Sequence, residues 1–216
     1  MPGFVRRMRS LPSIAFGVAA AALVASAGAS FAAASIDTDA LQKPWPKEYV
    51  REFEVGRYPV RWRQKVHKKE GLFAGVRFTA PGERQRVWAL SNDYTGVGHM
   101  TPGVRAVRII DQEPHHQVIE VELKVLWKLL TLRFEVEQDP PQAMRFRWRD
   151  ERFGEYRGVC LLEEVPGVGG AASTTTRIEL ATWFQPVHPV PMRLLLGVER
   201  IAMLGAVKEF LKTCER

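Results

Sequence analysis

Along the C-terminal half of the chain, apolar and polar residues alternate with a period of two. This is the pattern of β-strands that are dry on one face and wet on the other. Ile119, Val121, Leu123, Val125 and Trp127 fall on one face of the stretch Gln117–Trp127, with Glu120, Glu122 and Lys124 on the other. Leu132, Phe134 and Val136 alternate with Arg133, Glu135 and Glu137 up to Asp139-Pro140-Pro141, which ends that strand. Met144, Phe146 and Trp148 then alternate with Arg145, Arg147 and Arg149. Val104–Ile110, Tyr156–Glu163 and Thr174–Phe184 also read as strands, the last two separated by the glycine-rich Pro166–Gly170. The connections are too short for parallel crossovers, so the sheet is antiparallel.

The N-terminal half is less regular. Residues 35–57, with Pro44-Trp45-Pro46, read as an arm with a helical turn. Tyr58–Lys69 has strand character, and its many charges suit a sheet edge. Leu72–Thr79 reads as a strand that Ala80-Pro81-Gly82 breaks; Val87, Trp88 and Leu90 follow at helical spacing within Glu83–Asn92. Asp93–Met100 reads as a short helix or turn, and Thr101-Pro102-Gly103 is a strong turn signal.

The last segment predicts a long helix. Pro191 suits a first helical turn, and no proline follows it up to Thr213. Wound at about 100° per residue, Met192, Leu195, Leu196, Ala202, Met203, Ala206 and Phe210 make one stripe, with Arg193, Arg200, Lys208 and Lys212 off it. A sheet with one dry face needs a cover, and this helix supplies it, giving a two-layer α+β domain. Glu199 interrupts the stripe, between Leu195 and Met203. A carboxylate there is costly to bury without a partner. Either a local bend or a rim arginine relieves it, or it is a polar group aimed into a cavity.

Charge changes the picture little. The 216 residues carry a net +7, but Arg6, Arg7 and Arg9 lie in a leader without acidic residues, so +4 remains after residue 34. That excess is too mild to argue for nucleic acid. Arg145, Arg147 and Arg149 read as a solvated outer sheet face opposite Glu135 and Glu137. In the leader, the three arginines precede an apolar run over Ile14–Ala27 and the small-residue triplets Ala27-Gly28-Ala29 and Ala32-Ala33-Ala34. That is the order of a secretory signal peptide, and the run is short of the ~20 residues a bilayer span needs. The expected organisation is a signal peptide over 1–34, an arm over 35–57 and one domain over 58–216. The home is periplasmic or secreted, with a membrane anchor as the alternative. Export would permit Cys160 and Cys214 to pair, but spacing alone does not place them within reach. His115 and His116 are adjacent and lack zinc-ligand spacing, so no metal and no cofactor are expected.

The order of elements resembles the START-like helix-grip superfamily (SRPBCC, polyketide cyclase/dehydrase and lipid transport), nearest its coenzyme Q-binding branch. The resemblance rests on Phe78-Thr79-Ala80-Pro81-Gly82-Glu83-Arg84, Val87-Trp88-Ala89-Leu90, Asn92-Asp93-Tyr94 and Met100-Thr101-Pro102-Gly103-Val104. Further on it is carried by Tyr156-Arg157-Gly158, Thr174-Thr175-Thr176-Arg177-Ile178 and Pro189-Val190-Pro191. It implies a curved antiparallel sheet of about six to seven strands wrapped around the C-terminal helix, with a hydrophobic ligand held between them. It carries no catalytic role to any residue here. The expected pocket walls are Leu132, Phe134, Met144, Phe146, Trp148, Ile178 and Leu180 from the sheet. Met192, Leu195, Leu196 and Met203 face them from the helix, with Glu199 as the polar member. The expected partner is a lipid, quinone or polyketide-like molecule, with a membrane-surface contact and no nucleic acid. The alternatives are a cyclase or dehydratase using Glu199, His99 or His188, and an interaction module whose core is filled.

Overall fold

The computed structural model describes residues 50–67, 71–94, 103–125, 128–166, 174–189 and 192–216. The leader, residues 35–49 of the arm, His99, Thr101-Pro102 and Trp127 lie outside them. Among the described residues nine strands form one antiparallel sheet: β1 (Val50–Val55), β2 (Tyr58–His67), β3 (Gly71–Pro81), β4 (Val104–Gln112), β5 (His116–Val125), β6 (Lys128–Asp139), β7 (Ala143–Asp150), β8 (Gly154–Pro166) and β9 (Thr174–Pro186). Helix α1 (Arg84–Ser91) follows β3, and helix α2 (Met192–Cys214) follows β9. The spatial order is β1-β2-β3-β9-β8-β7-β6-β5-β4, so the chain runs out to β4, meanders back and docks β9 against β3. Among the described residues no helix is long and apolar enough to cross a membrane.

The sheet has more than the expected six to seven strands. The arm read over 35–57 ends in a strand, β1, whose sequence Val-Arg-Glu-Phe-Glu-Val hides its alternation behind alternating charge. With β1 outside it, β2 is not an edge. Its charge is met across the strand pair instead, where Arg61 Nε donates to Glu52 Oε1 at 2.9 Å.

Register gathers the apolar faces on one side. In β3–β9, Val76 lies opposite Leu180 and Phe78 opposite Ile178; in β7–β8, Met144 lies opposite Cys160 and Phe146 opposite Gly158. The helix lays its stripe on this face: Leu195, Ala202, Met203, Val207, Leu211 and Cys214 are buried, and Lys208 and Lys212 are exposed. Arg200 stands over the Phe53 ring at 5.8 Å, tying α2 to the added strand β1.

On the opposite face the arginine ladder of β7 meets glutamates. Arg147 pairs with Glu135 at 2.5 Å, and Glu137 sits opposite Arg145 in the register. A polar depression there, of about 380 Å³, is bordered by Arg133, Glu135, Arg147, Arg149 and Glu155.

Candidate functional site

Between the sheet and α2 lies a cavity of about 200 Å³. Phe78 of β3, Met144 and Phe146 of β7, Cys160 of β8 and Ile178 and Leu180 of β9 form its floor. Met203, Ala206, Val207 and Phe210 of α2 roof it, and Ser91 at the end of α1 closes one side. Phe78 and Phe210 meet edge to face across it, with ring centres 6.3 Å apart. Among the described residues no charged side chain borders the cavity. Ser91 turns its hydroxyl away to the Val87 carbonyl (2.9 Å), and burial pushes the Cys160 thiol up to about 12, so this sulfur is an uncharged wall atom at neutral pH. Cys160 and Cys214 are both free and buried, which answers the pairing question left open by their spacing.

One end of α1 is fixed by amides. Gln138 Nε2 reaches Asn92 Oδ1 at 2.6 Å, the Tyr94 hydroxyl at 3.0 Å and Gln117 Oε1 at 3.2 Å. This cluster joins the end of α1 to β5 and β6 beside Ser91 and Met144. Nothing in the sequence signalled it, because its members are ordinary polar residues far apart in the chain.

Of the expected pocket residues, Met144, Phe146, Ile178, Leu180 and Met203 border the cavity. Leu132, Phe134, Trp148 and Leu195 are buried in the same core without bordering it, and Leu196 is half-buried against that core. The side chain of Met192 lies outside the described residues. Phe78, Ser91, Cys160, Ala206, Val207 and Phe210 are not among the expected walls, although Ala206 and Phe210 lie on the predicted helix stripe. Phe78 and Cys160 follow from register alone, since they sit opposite Ile178 and Leu180. Val207 was legible, one helical turn beyond Met203.

Glu199 does not bend away to solvent. It is 3% exposed, and its Oε1 accepts from the Tyr156 hydroxyl and from Thr182 Oγ1, both at 3.1 Å. Thr182 Oγ1 also lies 3.4 Å from the Ala74 carbonyl, which gives its hydrogen a second acceptor. Burial pushes the Glu199 carboxyl up to about 7, with the two hydroxyl bonds holding it down in part. Burial, and then the neighbouring carboxyl, raise Tyr156 well above the usual phenol range. The carboxyl therefore sits between its neutral and ionised forms near physiological pH. Among the described residues no histidine bonds to it. His188 stands half-buried beyond β9, outside the cavity lining. Among the described residues no three His, Cys, Asp or Glu side chains gather where they could hold a metal ion.

The Phe146 ring separates this polar group from the cavity. It stacks on Tyr156, with centres 6.1 Å apart, and covers Gly158. A Cβ on Gly158 would fall 2.0 Å from Phe146 Cζ, so glycine is what lets the ring lie against the sheet. Gly158→Ala is expected to cost about 1–3 kcal/mol, because an aromatic ring must be driven off a packed position. Denaturant unfolding measures this, and a loss below ~0.5 kcal/mol would show that the ring yields freely.

An antiparallel sheet covered by a long C-terminal helix over an apolar cavity defines a helix-grip protein. The chain belongs to the polyketide cyclase / dehydrase and lipid transport family, within the START-like superfamily: the family model matches residues 81–211, more than half of the chain. Membership makes it a hydrophobic-ligand-binding or cyclase/dehydrase-type protein. Solved structures share the fold. The Zhui aromatase/cyclase from Streptomyces sp. R1128 is 16% identical, with 67% of this chain and 93% of that one covered and a TM-score of 0.56. A START superfamily protein from Mycobacterium smegmatis is 10% identical, covering 66% and 97%, with a TM-score of 0.53. A protein from Thermus thermophilus is 20% identical, covering 66% and 94%, with a TM-score of 0.51. No curated protein matches the chain by sequence.

Proposed function

We propose that this chain is an exported binding or carrier protein for a hydrophobic small molecule of the lipid, quinone or polyketide-like kind. The single observation that carries the reading is the cavity of about 200 Å³ between sheet and α2, bordered by no charged side chain among the described residues. A pocket with apolar walls is suited to an apolar guest. The carrier reading is preferred to a cyclase or dehydratase because, among the described residues, Glu199 bonds to no histidine and stands behind the Phe146 ring that borders the cavity. The mild net charge, and the pairing of Arg147 with Glu135, argue against nucleic acid as partner. A membrane surface is where such a guest would be collected or delivered.

The test is mass spectrometry of solvent extracts from natively purified protein. One apolar molecule at near-stoichiometric yield is expected. Empty extracts, together with no uptake of naphthalene by the purified chain, would leave a filled core and an interaction module instead.

Export rests on the leader. The mature protein is expected to begin at or between Ser30 and Ser35, since Ala27-Gly28-Ala29 and Ala32-Ala33-Ala34 both suit signal peptidase. N-terminal sequencing of the envelope fraction checks this; an intact Met1 there would favour a membrane anchor.

A further inference from the structure

Three separate elements lead from the cavity wall to the same buried polar group. On α2, Met203 borders the cavity, and Glu199 lies four residues earlier on the same face, one helical turn away. On β9, Leu180 borders it, and Thr182 is the next residue on that face of the strand. On β8, Cys160 borders it; the next residue on that face is Gly158, which has no side chain, and after it comes Tyr156. The volume above Gly158 is filled by the Phe146 ring, which borders the cavity and also stacks on Tyr156.

Resting on the reading of the cavity as a ligand site, we propose that the site extends past Phe146 to the Tyr156–Thr182–Glu199 group, and that its ligand is an apolar molecule carrying one uncharged oxygen head, a hydroxyl or a carbonyl. With the ring swung aside, the cavity and the polar group form one elongated pocket with an apolar body and a polar end. The three side chains offer two hydroxyl donors and a carboxyl oxygen within hydrogen-bond range of one another. A hydroxyl head donates to the Glu199 oxygen; a carbonyl head accepts from Tyr156 or Thr182. An anionic head would meet a carboxyl that, among the described residues, bonds to hydroxyls and has no cation to offset it. A cationic head would have to shed its water along the apolar body of the pocket before it reached Glu199, whose carboxyl is shifted by burial towards its neutral form. The same burial that pushes Glu199 towards its neutral form disfavours net charge of either sign at this end.

The test uses the full chain and four probes with the same two fused rings: naphthalene, 2-naphthol, 2-naphthoate and 1-naphthylmethylamine. Binding is measured by fluorescence titration. The parent is expected to take naphthalene, and to take 2-naphthol about tenfold more tightly, the worth of one ligand hydrogen bond. It is expected to take both charged probes more weakly than naphthalene. Phe146→Ala, which removes the partition, should widen the preference for 2-naphthol. Glu199→Met should shrink it to about twofold or less while naphthalene affinity stays, because only the head contact is lost. Equal binding of naphthalene and 2-naphthol by the parent and by Phe146→Ala, or tighter binding of either charged probe than of 2-naphthol, overturns the proposal and leaves the apolar cavity standing. Failure of naphthalene itself to bind overturns the cavity reading first. Should Phe146→Ala not fold, the parent and Glu199→Met decide the matter between them.

Discussion

Trp88→Ala is expected to destabilise the protein by about 3–5 kcal/mol, the cost of deleting a large buried aromatic. Trp88 is 8% exposed, and its neighbour Val87 is fully buried. They are the two buried residues of an eight-residue helix, far shorter than the length at which a helix holds in water on its own. Its charges and N-terminal cap do not compensate. Glu83 makes no side-chain cap bond, the first turn has no acidic residue and the last turn no basic one. The end of the helix depends instead on Asn92 Nδ2, which donates to the Trp88 carbonyl at 3.0 Å, and on the Gln138 amide behind Asn92. α1 is therefore held by its anchor residues against β8, β9 and α2. Equilibrium denaturation of the variant measures the loss. A change below about 1 kcal/mol would mean that the ring is not part of the core. Since Ser91 borders the cavity, an α1 loosened in this way should also weaken naphthalene uptake, which links the packing of one tryptophan to the site.

How much of this could be read in the chain depends on what each feature needs. Strands β5 to β7 were legible because one face of each is wet, so Leu132, Phe134, Met144, Phe146 and Trp148 announce their side by alternation alone. β1 was not, because Arg51, Glu52 and Glu54 charge both of its faces, and only its pairing with β2 shows which face is inward. The stripe on α2 was legible for the same periodic reason, and so was the oddness of a carboxyl at position 199. Its partners were not: Tyr156 is 43 residues away and Thr182 is 17, and they converge only through the β8–β9 register and the path of α2. The walls of the cavity show the same limit. A dry face says where apolar residues point, but a void depends on which side chains are large and which are missing. Trp148 fills its neighbourhood, whereas Gly158 leaves room that one ring, Phe146, occupies. That distinction requires knowing who stands opposite whom, and it separates the five expected residues that border the cavity from the four that lie in solid core.

Glu199→Gln is expected to make the protein progressively more stable than the parent as pH rises from about 4.5 to 8. The sign follows from the proton. The Glu199 carboxyl titrates at about 7 in the fold and near its ordinary 4.5 once unfolded. Below 4.5 both states are protonated, and the residue contributes no pH dependence. Between 4.5 and 7 the unfolded chain has released its proton while the fold still holds it, so stability falls as pH rises. Above 7 both states are ionised, and the fold carries the whole cost of a charge buried beside two hydroxyls. That cost is roughly 3 kcal/mol, from the distance between the two titration points. Glutamine keeps the volume, can still accept from Tyr156 and Thr182, and has no proton to lose, so its stability lacks this slope. Thermal unfolding of parent and variant across the range is the measurement. At about 2–4 °C per kcal/mol for a chain of this size, the gap in Tm should open by several degrees between pH 4.5 and 8. A gap that stays constant with pH would show Glu199 titrating as it does in the unfolded chain. The polar end of the cavity would then have to be something other than a carboxyl poised between its neutral and ionised forms.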